Sequence, residues 1–318
     1  MKTLLVIALC FVVGILGAQE TPDNGITSGR ELEVQISSLP ELKLIFTQFF
    51  KIPFLQGNNM LTEGNNLKIE VGGEVTPISA NFLFKETLTP IAFFELSHGG
   101  RIGSGWTLPL FGMDLYGVGL NKQDAAGKES YSGKGFDGML WNVFLGGMVQ
   151  MDFGLLLPWE YDHIVFQSYH EINYSGYSRA KEGESWFYEN DGGENSNGFN
   201  YYGSILLGYQ IPDFWFNTIA CLAEMDLYLY DKIPGRAKWG DDLIRWHIAG
   251  VLGFSFDGLF DLMVVTQFRT LRNTTDAAES KKPWNKKTSY YRTRTLDTDN
   301  PVDFHFYRVA ALFTFKLP

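Results

Sequence analysis

Tyr307-Arg308-Val309-Ala310-Ala311-Leu312-Phe313-Thr314-Phe315-Lys316-Leu317 is the stretch that decides how this chain is read. Successive side chains of an extended strand point to opposite sides. Extended, the segment puts Tyr307, Val309, Ala311, Phe313, Phe315 and Leu317 on one face and Arg308, Ala310, Leu312, Thr314 and Lys316 on the other. An apolar face of about 11 residues is what a tilted strand needs to cross a bilayer.

The same alternation recurs upstream, with no helical periodicity to rival it. Ile244, Trp246, Ile248, Gly250, Leu252, Phe254 and Phe256 oppose Arg245, His247, Ala249, Val251, Gly253, Ser255 and Asp257. Leu67, Ile69, Val71, Gly73 and Val75 alternate with Lys68, Glu70, Gly72, Glu74 and Thr76. Ile78, Ala80, Phe82 and Phe84 oppose Ser79, Asn81 and Lys85, and Ile219, Cys221, Ala223, Met225, Leu227 and Leu229 oppose Glu224, Asp226 and Tyr228. Strands are expected near 42–54, 66–76, 78–86, 90–101, 113–121, 136–151, 161–177, 199–211, 215–231, 242–256, 259–271 and 303–317, twelve in all. The expected fold is all-β, a single antiparallel transmembrane β-barrel.

The links between these strands sort by length. Asp257-Gly258, Pro212-Asp213 and the segment around Pro158 read as short turns, while 121–135, 178–198, 231–241 and 272–302 are long and polar. Outer-membrane barrels keep short turns on the periplasmic side and long loops outside. With the C-terminus inside, 272–302 falls outside, as does 57–65, and the Thr76-Pro77 turn falls inside. The short link 86–89 is the exception, placed outside. A soluble β-sandwich accounts for the alternation equally well but not for the sorting. Aromatics at strand ends, among them Phe49-Phe50, Trp106, Trp159, Phe214-Trp215-Phe216 and Phe304, fit interfacial girdles.

Met1-Lys2-Thr3 precedes an apolar run from Leu4 to Leu16 and a small pair, Gly17-Ala18, the three-part form of a cleaved secretory signal. Residues 1–18 are therefore read as signal peptide, 19–41 as an N-terminal lead-in segment and 42–318 as the barrel. Cys10 goes with the signal, which leaves Cys221 and no intramolecular disulfide. Of the 26 Lys and Arg, Lys2 is lost with the leader; against 36 Asp and Glu this leaves a net charge of −11. Such acidity excludes nucleic-acid binding, which needs a concentrated positive face. Beyond the leader no run approaches the roughly 18 apolar residues of a membrane helix. A closed barrel is the remaining way to cross, because it satisfies every backbone polar group without water.

Signatures of chemistry are missing. Ser97-His98 are neighbours, so a strand sends them to opposite faces, and the odd spacing of His163 and His170 separates those two likewise. No Cys/His cluster has metal-ligand spacing, and phosphate loops, dinucleotide fingerprints and nucleophile elbows do not occur. No catalytic residue, metal or cofactor is assigned. The polar face supplies lumen-lining candidates instead: Lys68, Glu70, Glu74, Lys85, Glu224, Asp226, Arg245, His247, Arg308 and Lys316. Both signs are present, which fits a weakly selective channel or an interior closed by salt bridges.

Thr89-Pro90-Ile91-Ala92-Phe93-Phe94-Glu95-Leu96-Ser97, then Ile102-Gly103-Ser104-Gly105-Trp106, together with Phe49-Phe50-Lys51-Ile52-Pro53-Phe54, resemble uncharacterised outer-membrane β-barrel proteins of spirochaetes. The resemblance is specific over residues 42–121. It implies the outer membrane of a diderm bacterium, with membrane lipid and the barrel-assembly machinery as partners, and carries no activity. The chain departs from many barrels in ending Phe315-Lys316-Leu317-Pro318 instead of on an aromatic residue. The expectation is a passive channel for small solutes or a surface-exposed structural protein. A membrane-embedded lipid-acting hydrolase and a soluble periplasmic protein binding an apolar ligand are the alternatives.

Overall fold

The computed structural model describes residues 25–39, 41–110, 113–123, 129–132, 135–155, 163–189, 191, 193–211, 214–230, 239–256, 259–273 and 295–317. Residues 1–18, read as signal peptide, lie outside the described residues, as do Pro158, Trp159, Pro212-Asp213 and Asp257-Gly258. In chain order the strands are β1 (Thr27–Ser37), β2 (Glu41–Pro53), β3 (Asn66–Val75), β4 (Ser79–Ile91), β5 (Phe94–Gly105) and β6 (Thr107–Leu110). Next come β7 (Met113–Tyr116), β8 (Val118–Gln123), β9 (Glu129–Ser132), β10 (Leu140–Asp152), β11 (His163–Tyr177) and β12 (Trp186–Tyr188). The last are β13 (Gly198–Gln210), β14 (Phe216–Tyr228), β15 (Arg245–Phe256), β16 (Phe260–Arg272) and β17 (Val302–Leu317).

Twelve of these close into one antiparallel barrel in the order β1-β17-β16-β15-β14-β13-β11-β10-β5-β4-β3-β2. The seam joins β1 to β17, where Leu32, Val34 and Ile36 stand opposite Phe315, Phe313 and Ala311. Closure removes the unpaired edges that an open sheet would present. The two faces of the wall are inverted relative to a protein with an apolar core. Leu145 on the outer face keeps 66% of its surface exposed and Leu207 55%, while Glu74 on the inner face keeps 6%.

The membership of the twelve differs from the sequence reading at two places. Residues 27–37, assigned to the lead-in, form β1. Only Leu32, Val34 and Ile36 mark its apolar face, and its first residues, Thr27-Ser28-Gly29-Arg30, are polar, so the alternation is short. Residues 113–121, expected in the wall, fall instead in β7 and β8, which belong to separate small sheets. Their alternation is real, but Val118 spends its apolar side chain against Tyr177 and Trp186. The two errors cancel in the count and not in the topology. At one end of the barrel, the terminal end, lie the start of β1 and the end of β17, the described links 54–65 and 92–93, and the facing ends of β10 and β11, β13 and β14, and β15 and β16. At the other, the loop end, lie the turn 76–78 and the facing ends of β1 and β2, β5 and β10, β11 and β13, β14 and β15, and β16 and β17. The loop at 57–65 therefore sits with the termini and the Thr76-Pro77 turn with the long loops, opposite to expectation. Residues 86–89 are not a link: β4 runs on to Ile91, with a register shift between Leu88 and Ile91 around Pro90, which has no N–H to give the ladder.

One residue changes face. Gln267 pairs with Arg308 and Phe268 with Phe306, which leaves Tyr307 as the extra residue of a β-bulge. Tyr307 therefore turns inward beside Arg308, under the Arg269 guanidinium at 4.0 Å, instead of joining the outer apolar face with Val309.

Candidate functional site

The inner face carries a hydrogen-bonded chain that runs from β13 to β2 and twice crosses an intervening strand. Glu224 on β14 accepts from the Tyr202 hydroxyl of β13 at 2.8 Å and from Gln267 Nε2 of β16 at 2.7 Å. Gln267 Oε1 accepts from Arg308 Nε of β17 at 3.0 Å, and Arg308 reaches Glu41 at the start of β2. Such links across intervening strands need side chains that converge on the lumen. Gln267 is 4% exposed, so its amide, giving to a carboxylate and taking from a guanidinium, leaves neither charge facing the other bare. Arg269, Tyr307 and His247 stack beside it, with the His247 and Tyr307 rings 5.6 Å apart. The lumen along β13–β17 is thus filled by polar side chains. Along β2–β11 it opens into a cavity of about 410 Å³, lined by Glu70, Lys85, Arg101, Asn142, Phe144 and Glu171 among others.

Each lumen-lining candidate from the sequence has a definite place. Lys68 pairs with Glu70 at 2.7 Å, and Glu74 with Lys43 at 3.3 Å. Lys85 stands opposite Glu70 in the ladder and faces the cavity. Asp226 stands opposite Arg245, whose guanidinium lies 3.9 Å over the Tyr228 ring. His247 is 3.4 Å from Gln267 Nε2, and Arg308 belongs to the chain above. Lys316 is exposed near the terminal end, 3.5 Å from Asp261. The structure therefore joins Glu224, His247 and Arg308 in one cluster, Asp226 and Arg245 above them, and Glu70 and Lys85 at the cavity, and leaves Lys316 apart.

A folded cap occupies the loop end. Strand β12, from the 178–197 link, pairs with β8, from the 106–139 link, and β9 completes a three-stranded sheet. Val118, Leu140, Tyr177, Trp186 and Tyr188 form its buried cluster. Polar anchors fasten the cap to the wall. Tyr188 Oη accepts from Asn81 Nδ2 at 2.7 Å and lies 3.3 Å from Glu74 Oε1, to which it donates. Burial and the neighbouring carboxylate of Glu189 push the Tyr188 hydroxyl well above its ordinary range, so it stays a donor. Glu189, in the left-handed region at φ 51°, accepts from Thr76 Oγ1 at 3.0 Å and Ser79 Oγ at 2.6 Å.

From there the strap 186–197 runs to the far rim. Asp191 accepts from the backbone N–H of Tyr188 at 3.0 Å and of Gly193 at 2.9 Å, and from Asn195 Nδ2. Enclosure pushes its carboxyl up to about 6 against the pull of those donors. A carboxyl near 6 is still ionised at neutral pH, so Asp191 holds these donors as a carboxylate. Glu194 then meets Arg272 at the end of β16, beside the fully enclosed Tyr230 and Trp239. Sequence reasoning missed the cap. The signal for it was Trp186-Phe187-Tyr188, three aromatics in a row inside an otherwise polar loop.

Ser97 and His98 do part, Ser97 buried inward and His98 outward, its Nε2 2.9 Å from the Glu86 carboxylate. His163 and His170 part as well, His163 to Asp152 at 2.6 Å and His170 onto the outer wall. There His170 meets Ser168, a contact that the reading by neighbours overlooked and that Ser-x-His spacing on one strand face could have supplied. Among the described residues no group of three His, Cys, Asp or Glu is placed to hold a metal ion. No model of a known protein family matches the chain, and no curated protein matches it.

Proposed function

We propose that this chain is an outer-membrane β-barrel protein of a diderm bacterium, its capped end outward and its lumen a restricted passage for small solutes. The observation that carries the reading is the inverted wall: large apolar side chains such as Leu145, Leu207, Ile172 and Ile219 outside, and charged, hydrogen-bonded ones inside. In water those apolar side chains would cost roughly 1.5–3 kcal/mol each relative to burial, whereas a lipid surround accepts them. Closure suits hydrocarbon too, since it leaves the sheet no unpaired edge strand. The longest links gather at one end, as exterior loops do, and the surrounding lipid and the barrel-assembly machinery follow as partners. A soluble protein holding an apolar ligand would need an apolar interior, and the lumen is polar.

The mixed charges of Glu70, Lys85, Arg101 and Glu171 fit weak selectivity, and the cap sets how far the passage opens. Planar-bilayer recording tests this. Wild-type protein is expected to give small conductance, and replacing the strap 186–197 with a Gly-Ser linker should raise it severalfold. Silence from both proteins, each folded by circular dichroism, would remove the passage and leave a surface-exposed structural barrel.

A further inference from the structure

Three polar side chains interrupt the outer apolar wall at one point. Ser168 Oγ lies 3.0 Å from His170 Nε2, and His170 Nδ1 lies 2.6 Å from the Tyr201 hydroxyl of the neighbouring strand β13. The Tyr201 hydroxyl donates in turn to Met225 Sδ at 3.9 Å. In the tautomer with its proton on Nδ1, His170 donates to the Tyr201 oxygen and its Nε2 lone pair receives the Ser168 proton; this is the tautomer the chemistry below uses. Nucleophile, base and orienting group thus stand in the order acyl transfer requires.

The surroundings are built around this chain. In the ladder His170 lies between Gly147 of β10 and Gly203 of β13, and the room over Gly203 is taken by the Tyr201 ring, stacked on the imidazole with centroids 6.1 Å apart. A Cβ on Gly203 would come within 2.8 Å of the Tyr201 hydroxyl and 3.3 Å of His170 Nδ1, so the contact exists because that residue is glycine. Around them Val149, Ile172 and Ile205 are exposed and apolar. An ionisable side chain on a lipid-facing surface is costly and marks a site. The Glu86–His98 pair shares the outer face but has no nucleophile, because Ser97 points inward.

We propose that Ser168, His170 and Tyr201 form an esterase site on the outer wall, acting on uncharged esters dissolved in the membrane, such as acylglycerols; this rests on the outer face meeting lipid. His170 is the middle residue of β11, remote from either rim. A phospholipid's headgroup holds its ester bonds near the rim, whereas a neutral ester reaches deeper. In the step, Ser168 Oγ attacks the ester carbonyl and its proton passes to His170 Nε2. The C–O bond to the alcohol breaks, and His170 returns the proton to the departing alkoxide. Water, deprotonated by His170, then hydrolyses the acyl-serine and releases the fatty acid. Ser168 and His170 are the catalytic residues; Tyr201 is a positioning residue. Ladder N–H groups are committed to neighbouring strands, so oxyanion stabilisation is weak and turnover slow. Covalent labelling is therefore the sharper readout.

The test is fluorophosphonate labelling of the full-length folded protein in detergent micelles, with diacylglycerol and phosphatidylcholine hydrolysis measured alongside. Labelling on Ser168, lost in Ser168→Ala, reduced about 100-fold in His170→Ala and retained in His98→Ala, is expected. Tyr201→Phe and Gly203→Ala should lower the rate and shift the pH profile of labelling, and diacylglycerol should be cleaved in preference to phosphatidylcholine. Folded wild-type protein that does not label, or labelling that survives Ser168→Ala, overturns the proposal and leaves the membrane reading standing. Preference for phosphatidylcholine overturns the substrate class. Labelling of Ser168 in a protein that fractionates as soluble keeps the esterase and overturns the membrane setting.

Discussion

Arg272, the last residue of β16, is enclosed with both ends of its guanidinium occupied: Nη1 donates to Asp241 at 2.9 Å and to the Trp239 carbonyl at 3.0 Å, and Nη2 meets Glu194. Its side chain is only 6% exposed, as is that of Asp241, so the pair is screened little by water. Two carboxylates held against one guanidinium make the cation the critical member. Arg272→Ala should remove the guanidinium that holds both carboxylates, a loss of up to about 3–5 kcal/mol where a buried pair is broken from one side. Because Glu194 lies on the strap, the loss belongs to the cap and not to the ladder. Hydrogen exchange should show the amides of 186–197 opening in the variant while those of β10 and β11 keep wild-type protection. Uniform loss of protection throughout the barrel would contradict this division.

Elements meet most closely where the cap enters the mouth. Gly117, between β7 and β8, packs its Cα 2.9 Å from a Cβ built on Gly105, and a Cβ on Gly117 itself would stand 1.9 Å from the Ile78 carbonyl oxygen. Neither neighbour is a side chain that can rotate away. Gly117→Ala should therefore undock the β8–β9–β12 sheet, at about 1–3 kcal/mol for an overpacked contact, with the β-signal of the wall unchanged. Protease cleavage within 106–139 on folded protein would report it, and resistance equal to wild type would contradict it. The strands of the wall were legible because period-2 alternation is a local property, as β15 and β3 show. What alternation cannot say is which partner an apolar face meets. Val118 and Leu120 against the cap read the same as a strand in the wall, while β1, with three apolar positions, fell beneath notice. The bulge at Tyr307 was visible in principle: Phe304 and Phe306 keep one phase, and Val309, Ala311 and Phe313 keep the other. The inner-face charges were readable for the same reason as the strands. The Gln267 hub and the Ser168–His170–Tyr201 chain needed the register between strands, which no single segment contains.

At the scale of the molecule, the account turns on what the outer wall touches. The described strands turn most of their charges inward, Glu86 being an exception, and their large aliphatic side chains outward, around a closed ladder. Either that surface meets hydrocarbon or it is exposed to water against the hydrophobic effect. The chain carries a native probe of the difference. Cys221 is a free, exposed thiol in β14, on the face shared with Ile219 and far from both ends of the strand. The most direct measurement is its reaction with a charged, membrane-impermeant maleimide in native membranes, with the labelled peptide identified by mass. No modification of Cys221 is expected until the membrane is dissolved and the protein unfolded, because lipid excludes the charged reagent. Prompt modification in intact membranes would mean that the wall stands in bulk solvent carrying the charged reagent, and would contradict the lipid setting.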